Sequence, residues 1–165
     1  MFWDRDPDSQ NPSDWCEYLQ KLFTHEIPLS THMSVRVDRI GINGLELHAA
    51  SQPNVNIHGT AFAGSIYSLC ALAAWGLLHV ELRARDVSPE IVLADSTIVF
   101  SAPIVGTLRA HSGFTETADL DHFIRALRAV GKAEIQIPAT VSGDAGRPAA
   151  HFSGTYAVAA PYSSV

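Results

Sequence analysis

Charge is scarce in this chain. Asp, Glu, Lys and Arg make up 17% of its 165 residues, against about a quarter in an average soluble domain. None of the four occurs between Glu46 and Glu81. No basic run is present and the formal charge is −6, which argues against nucleic-acid binding, a task that needs a positive surface. Cysteine is nearly absent. Cys16 and Cys70 are too few and too far apart for a disulfide framework, so a reduced, cytoplasmic setting is expected, with Cys70 a packing residue. The acidic start, Met1-Phe-Trp-Asp-Arg-Asp-Pro7, lacks the apolar core of a signal peptide. There is no internal repeat, low-complexity tract or linker, so one domain over residues 1–165 is expected, long enough for a sizeable core. The histidines, His79 and His151 among them, show no metal-ligand spacing such as HExxH, and no metal is expected. With 47% hydrophobic residues and so little charge, the chain should hide surface in a partner subunit.

What is present is concentrated in one place. Asn54-Val-Asn56-Ile-His58-Gly59-Thr60-Ala-Phe62-Ala-Gly64-Ser65 runs directly into an apolar segment ending near Leu78. The first amides of a helix have no partner inside it, and the helix dipole favours negative charge there, so a polarised oxygen would be held at this start. Two rival readings fail. Gly59 and Gly64 have the spacing of a phosphate loop, but Ser65 stands where its lysine should be. The segment 61–78 is long enough for a membrane span. It is, however, rich in small and hydroxyl residues, runs on into His79 and Glu81, and has no basic flank. A helix apolar on all sides can equally be the centre of a sheet-wrapped fold. Ala71, Ala74 and Gly76 would then admit close neighbours.

The remaining elements follow from period and punctuation. Asn11 and Pro12 cap and open a helix with Trp15, Leu19, Leu22 and Phe23 on one face, and Pro28 marks its end. Residues 35–40 and 45–50 read as strands about a turn from Gly41 to Gly44. The central helix is expected over about 61–83, with Ser88-Pro89 as punctuation. A strand over 91–100 should carry Val92, Ala94, Ile98 and Phe100 on one face, and another strand covers 107–114. Leu120, Phe123, Ile124 and Leu127 mark a helix stopped by Gly131. Ile135, Ile137, Ala139 and Val141 alternate, with Pro138 on the opposite face at a bulge or a position without a ladder bond. Ala150, Phe152, Gly154, Tyr156 and Val158 form the last strand, and the tail from Pro161 is loose. The order α-ββ-α-ββ-α-ββ, with strands in hairpins, predicts an α+β fold with a mainly antiparallel sheet.

A long apolar helix held by an antiparallel sheet resembles the hotdog fold. Asn56-x-x-Gly59-Thr60-x-Phe62-x-Gly64 is similar to the N-x-x-G-T-x-H-G-G loop of hotdog acyl-CoA thioesterases, with Phe62 and Ala63 where His and Gly usually stand. Ile27-Pro28-Leu29, Pro53-Asn-Val-Asn56, Gly59-Thr-Ala-Phe-Ala-Gly-Ser65, Ala74-Trp75-Gly76, Ile91-Val-Leu-Ala-Asp-Ser96 and Phe100-Ser-Ala-Pro103 together resemble the YiiD C-terminal-like thioesterase family, found fused to GNAT-type acetyltransferases. No acetyltransferase domain precedes them, so a stand-alone version is expected. The resemblance implies a homodimer or dimer of dimers joined near strand 91–100. It also implies a site between subunits at the start of the central helix, and hydrolysis of an acyl-CoA or acyl-carrier-protein thioester. Coenzyme A or phosphopantetheine is then part of the substrate and no separate cofactor is needed. Relatives often carry an acid about two turns into the helix; here Cys70 to Leu72 occupy that place.

Within that frame Gly64 offers its amide as oxyanion donor. Asn56 either contacts the carbonyl or attacking water or stitches the loop. His58 is the loop's one titratable group, a general base or an exposed loop histidine. Ser68 lies one turn beyond Gly64 and either holds water or bonds back to the helix. Asp95 is a catalytic acid brought from elsewhere, a dimer contact or a solvated residue. Gly59, Thr60, Phe62 and Ser65 would line the substrate, although Phe62 and Trp75 are expected chiefly to pack the core. Arg109, Arg125, Arg128 and Lys132 are candidates for coenzyme A phosphates. Two alternatives stand beside the hydrolase: a non-catalytic acyl-thioester-binding module, and a 3-hydroxyacyl thioester dehydratase, which would want a His and an acid poised together.

Overall fold

The computed structural model describes residues 12–88 and 90–159. The Asn11 cap, the N-terminal acidic stretch, the Pro89 punctuation and the tail from Pro161 lie outside the described residues. Helix α1 (Pro12–Glu26) buries Trp15, Leu19 and Phe23 along one stripe, with Leu22 half-buried beside it, as a three-to-four spacing requires. Pro28 then opens a second, unforeseen helix, α2 (Pro28–His32), because its fixed φ suits a first turn. Strands β1 (Val35–Gly41) and β2 (Gly44–Ala49) form the expected hairpin, Gly41 opposite Gly44.

The central helix α3 (Ala63–Arg83) starts after Phe62, which sits extended as its N-cap (φ −69°, ψ 131°). Most of its apolar surface is enclosed, and one half-exposed face carries Tyr67, Ala71 and Trp75. It packs against α1 and β2, and against strands β3 (Glu90–Phe100), β4 (Leu108–Ser112), β5 (Lys132–Ser142) and β6 (Pro148–Ala159). Leu69, Ala73, Ala74 and Leu78 are all 0% exposed, and each buried leucine contributes roughly 1.5–3 kcal/mol relative to exposure. By length and composition α3 could cross a membrane; here it is the core that the sheet wraps. The small residues act as expected: a Cβ on Gly76 would lie 2.9 Å from Leu45 Cδ2 and 3.1 Å from both Leu19 Cδ2 and Phe23 Cζ. Helix α4 (Thr117–Val130) buries Leu120, Phe123, Ile124 and Leu127 and packs on β5. It stops at Gly131, whose φ of +75° is the left-handed cap that glycine favours.

The single sheet runs β1-β2-β4-β5-β6-β3, every pair antiparallel. Two expectations fail here. Strands β3 and β4 are consecutive but do not pair, so the hairpins are β1-β2 and β5-β6 alone. The α3 crossing carries the chain to the far edge, where β3 joins β6. The expected face of β3 is also wrong. A bulge between Leu93 and Asp95 inserts one residue and reverses the alternation. The half-buried inward set is therefore Ile91, Leu93, Ser96 and Ile98, whereas Val92 and Phe100 are 62% and 47% exposed. Pro138 keeps register with Ser153 and carries no bulge; the β5 irregularity falls at Val141/Ser142. The β4 ladder ends at Ala139, just before Pro138, whose carbonyl instead accepts from Ser112 Oγ at 2.8 Å.

Candidate active site

The loop before α3 is built around two asparagines. Asn54 is fully buried and donates from Nδ2 to the carbonyls of Met33 and Ala50, both at 2.8 Å. Its own carbonyl accepts from the Phe62 amide at 2.7 Å, and the Ala61 amide donates to Ile104 O at 2.8 Å. The loop is thus tied to the end of α2, to the residue after β2 and to the segment after β3. Asn56 stitches the tip. Its Oδ1 accepts from the amides of His58 (2.8 Å) and Thr60 (3.3 Å), and its Nδ2 donates to Thr60 Oγ1 (2.9 Å) and Ala61 O (3.4 Å). Both ends of its side-chain amide are engaged, which favours the stitching role over a direct substrate contact. Gly59 takes φ +72° to close this turn, and Thr60 is half-buried within it.

Helix α3 begins without a side-chain cap. Its first internal bond is Ile66 N–H to Phe62 O at 3.1 Å, so the amides of Ala63, Gly64 and Ser65 have no partner inside the helix. Phe62 is not a core residue. It is 54% exposed, and its ring lies across Gly64, where an added Cβ would be 2.4 Å from Cε1. Ser65 is buried in the first turn. Ser68 Oγ donates to Gly64 O at 2.8 Å, the back-bonded state.

From Ser68 an apolar cleft of about 280 Å³ runs up one face of α3, past Tyr67, Ala71 and Leu72 to Trp75. Leu93 of β3, Tyr156 of β6, and Ile27 and Leu29 at the start of α2 complete its lining. Every polar side chain lining it is occupied elsewhere: Tyr67 OH pairs with Ser96 Oγ at 2.7 Å, and Tyr156 OH donates to Ala71 O at 2.9 Å. The Trp75 indole N–H donates to Ile91 O at 3.3 Å, and its ring stacks on His79 with centroids 4.7 Å apart. Sequence reasoning missed this cleft. The 67-71-75 stripe was visible, but in a helix apolar on all sides nothing distinguishes that face from the core faces.

Electrostatics around α3 favour neutral groups. Burial pushes the Cys70 thiol up to about 12, so it is a packing residue. Burial, with help from Arg83, lowers His79 to about 4. The Tyr156 hydroxyl is raised by burial. Glu81, 0% exposed, is neutralised by Arg85 one turn on. His58 is exposed at the loop tip. Asp95 is exposed on β3, beside Ser96 but on the opposite face of the strand. Neither reaches into the cleft within one chain. Arg125 and Arg128 on α4 and Lys132 on β5 lie exposed near one another in sequence, and Arg109 lies exposed on β4. Among the described residues no group of three or more His, Cys, Asp or Glu could hold a metal ion.

An antiparallel sheet wrapped around one central helix, with an apolar cleft along that helix, defines a hotdog protein of the thioesterase type. Solved structures agree. A protein of unknown function from Chlorobaculum tepidum TLS superposes with TM-score 0.87 at 26% identity, over 92% of this chain and 98% of that one. A "putative thioesterase" from Shewanella oneidensis gives TM-score 0.76 at 27% identity, over 90% and 99%. A "Probable Thioesterase" from Pseudomonas aeruginosa, at 17% identity and TM-score 0.76 over 87% and 95%, shares the fold. Residues 16–160 match the family described as "Putative thioesterase (yiiD_Cterm)", and the chain belongs to that family. The chemistry attached to the family is thioester hydrolysis.

Proposed function

We propose that this chain hydrolyses acyl thioesters of coenzyme A or acyl carrier protein, working as a homodimer or dimer of dimers. One observation carries the reading: the uncapped start of α3 lies one turn from the mouth of an apolar cleft. A thioester carbonyl placed at the Gly64 amide would send its acyl tail into that cleft. Preorganised donors of this kind contribute about 10²–10³-fold by stabilising the tetrahedral oxyanion. A thiol with pKa near 8.5 leaves as thiolate without a strong general acid, so what the site needs is a base for the attacking water, which the cleft face of α3 does not carry. Water attacks, and His58 or Asp95 takes its proton. Since neither enters the cleft of its own chain, a second copy is needed to assemble the site. Strand β3 suits that contact: it is a sheet edge, and it exposes Val92, Val99 and Phe100. A non-catalytic acyl-binding module is the second reading, favoured by the absence of any carboxylate on the cleft face of α3. A dehydratase for 3-hydroxyacyl groups is disfavoured, because the cleft lining holds neither a histidine nor a carboxylate.

The test is thiol release from a panel of acyl-CoAs and acyl carrier proteins, with sedimentation to give the oligomer. Hydrolysis should fall at least 10²-fold in His58→Ala, with loss of the acid limb of the pH–rate profile, if His58 is the base. An unchanged rate moves the role to Asp95, tested by Asp95→Asn. Tight binding of thioesters with no thiol release from any would leave the module reading, and a stable monomer would remove a shared site.

A further inference from the structure

We infer that the outer face of the sheet carries a binding site for a phosphomonoester, formed by Arg36, His48 and Arg109. The three residues share one rung of the ladder. Arg36 of β1 lies directly opposite His48 of β2, and His48 lies directly opposite Arg109 of β4. Residues paired in this way stand about 4.5–5.5 Å apart, so the two arginines flank the imidazole within reach of one small anion. All three point away from α3. Leu47 and Ala49, on either side of His48, are 0% exposed, and alternation puts His48 on the opposite face. Arg36 and Arg109 are exposed. Among the described residues neither guanidinium has an acidic partner. The next rung is self-contained: Arg39 pairs with Glu46 at 2.5 Å, and His111 Nε2 bonds to Asn43 O at 2.7 Å.

The imidazole decides which anion is taken. A bulge between Val37 and Arg39 leaves Asp38 outside the ladder pairing and aims its carboxylate back at His48. His48 Nδ1 donates to Asp38 Oδ1 at 2.6 Å. A carboxylate only accepts, so Nδ1 carries the ring hydrogen and Nε2 of the neutral ring is a bare acceptor. Among the described residues Nε2 has no partner. An anion seated between the arginines must therefore bring a proton of its own to Nε2. A phosphomonoester does so, because its second proton leaves only near pH ~6. Its remaining oxygens accept from the two guanidinium forks, whose planar geometry matches them. No covalent bond forms or breaks, and the proton is shared between a phosphoryl oxygen and Nε2. Sulfate has the same shape but no proton to share at neutral pH, and a phosphodiester lacks it as well.

Inorganic phosphate and sulfate, titrated by calorimetry into the full chain at low ionic strength and about pH 7, test the site. Phosphate should bind saturably and several-fold more tightly than sulfate. Arg36→Ala and Arg109→Ala should each weaken it about tenfold or more, the loss expected for a charge-assisted hydrogen bond. Lys21→Ala, which removes an equal charge from the exposed face of α1, should not. The imidazole nitrogen resonances of His48 should report a proton reaching Nε2 only when phosphate is bound. Asp38→Ala releases the ring from its fixed tautomer and should shrink the preference for phosphate over sulfate. Coenzyme A and dephospho-coenzyme A then distinguish the sources of the phosphoryl group. Tighter binding of coenzyme A that disappears in Arg109→Ala makes the row a part of substrate recognition. Equal binding of the two, with free phosphate still held, makes it the site of a separate ligand. Absence of saturable phosphate binding, binding indifferent to both arginine substitutions, or equal affinity for sulfate overturns the assignment. Thiol release plays no part in these readouts, so the site stands or falls independently of the hydrolase reading.

Discussion

Replacing Gly76 by Ala sets two known effects against each other. In an exposed helix interior the change stabilises by about 1 kcal/mol, through lower backbone entropy in the unfolded chain and better helix propensity. Here the new methyl meets atoms from α1 and β2 at once: Leu45 Cδ2 at 2.9 Å, Leu19 Cδ2 and Phe23 Cζ at 3.1 Å. All three side chains are 0% exposed, so none can swing into solvent. Overpacking of a tight core costs roughly 1–3 kcal/mol. The atoms struck are ends of flexible side chains, which holds the cost near the middle of that range. The net expectation is a loss of about 1 kcal/mol, or about 2–4 °C in melting temperature for a domain of this size. Urea unfolding and a thermal scan should be run at one fixed protein concentration, because association shifts both. Equal or greater stability in Gly76→Ala would refute the close packing of α1 and β2 on α3.

Three further outcomes follow from the same structure. His79 has its pKa lowered from 6.5 to about 4 by burial. Above pH 6.5 it is neutral in both states, and between 6.5 and 4 the unfolded chain alone takes up the proton, so stability falls with pH across that window. His79→Gln should flatten that part of the stability curve; an unchanged slope would show that the folded imidazole protonates freely. Arg85→Ala removes the cation facing the buried Glu81 carboxylate, and should cost about 3–5 kcal/mol in urea unfolding. A loss below about 1 kcal/mol would place Glu81 in water. Asn56→Ala should lower kcat and also expose the 54–62 loop to proteolysis, since it removes four side-chain hydrogen bonds. A lower kcat with unchanged loop protection would restore a direct substrate contact for Asn56.

Much of this protein is settled by local patterns. The stripes of α1 and α4, the Gly131 stop, the β1-β2 turn and the alternation of β6 are each dictated by neighbours within a few residues, and all appear as their spacing requires. The uncharged run from 61 to 78 could only be a membrane span or an enclosed helix, and its small residues marked the enclosed alternative. The loop chemistry was legible too: Asn, Gly and Thr at turn spacing before a helix are there because the turn needs them. What the sequence left open was everything that depends on distant partners. Which sheet edge β3 joins, and the bulge that turns Ser96 inward and Asp95 outward, are set by pairing with β6 some 60 residues later. Whether Asn56 contacts a ligand or the loop is decided by the positions of His58, Thr60 and Ala61. The cleft draws its walls from α2, α3, β3 and β6. No segment encodes it, because a cavity is the volume that side chains from separate elements fail to fill once long-range register has fixed where each one points.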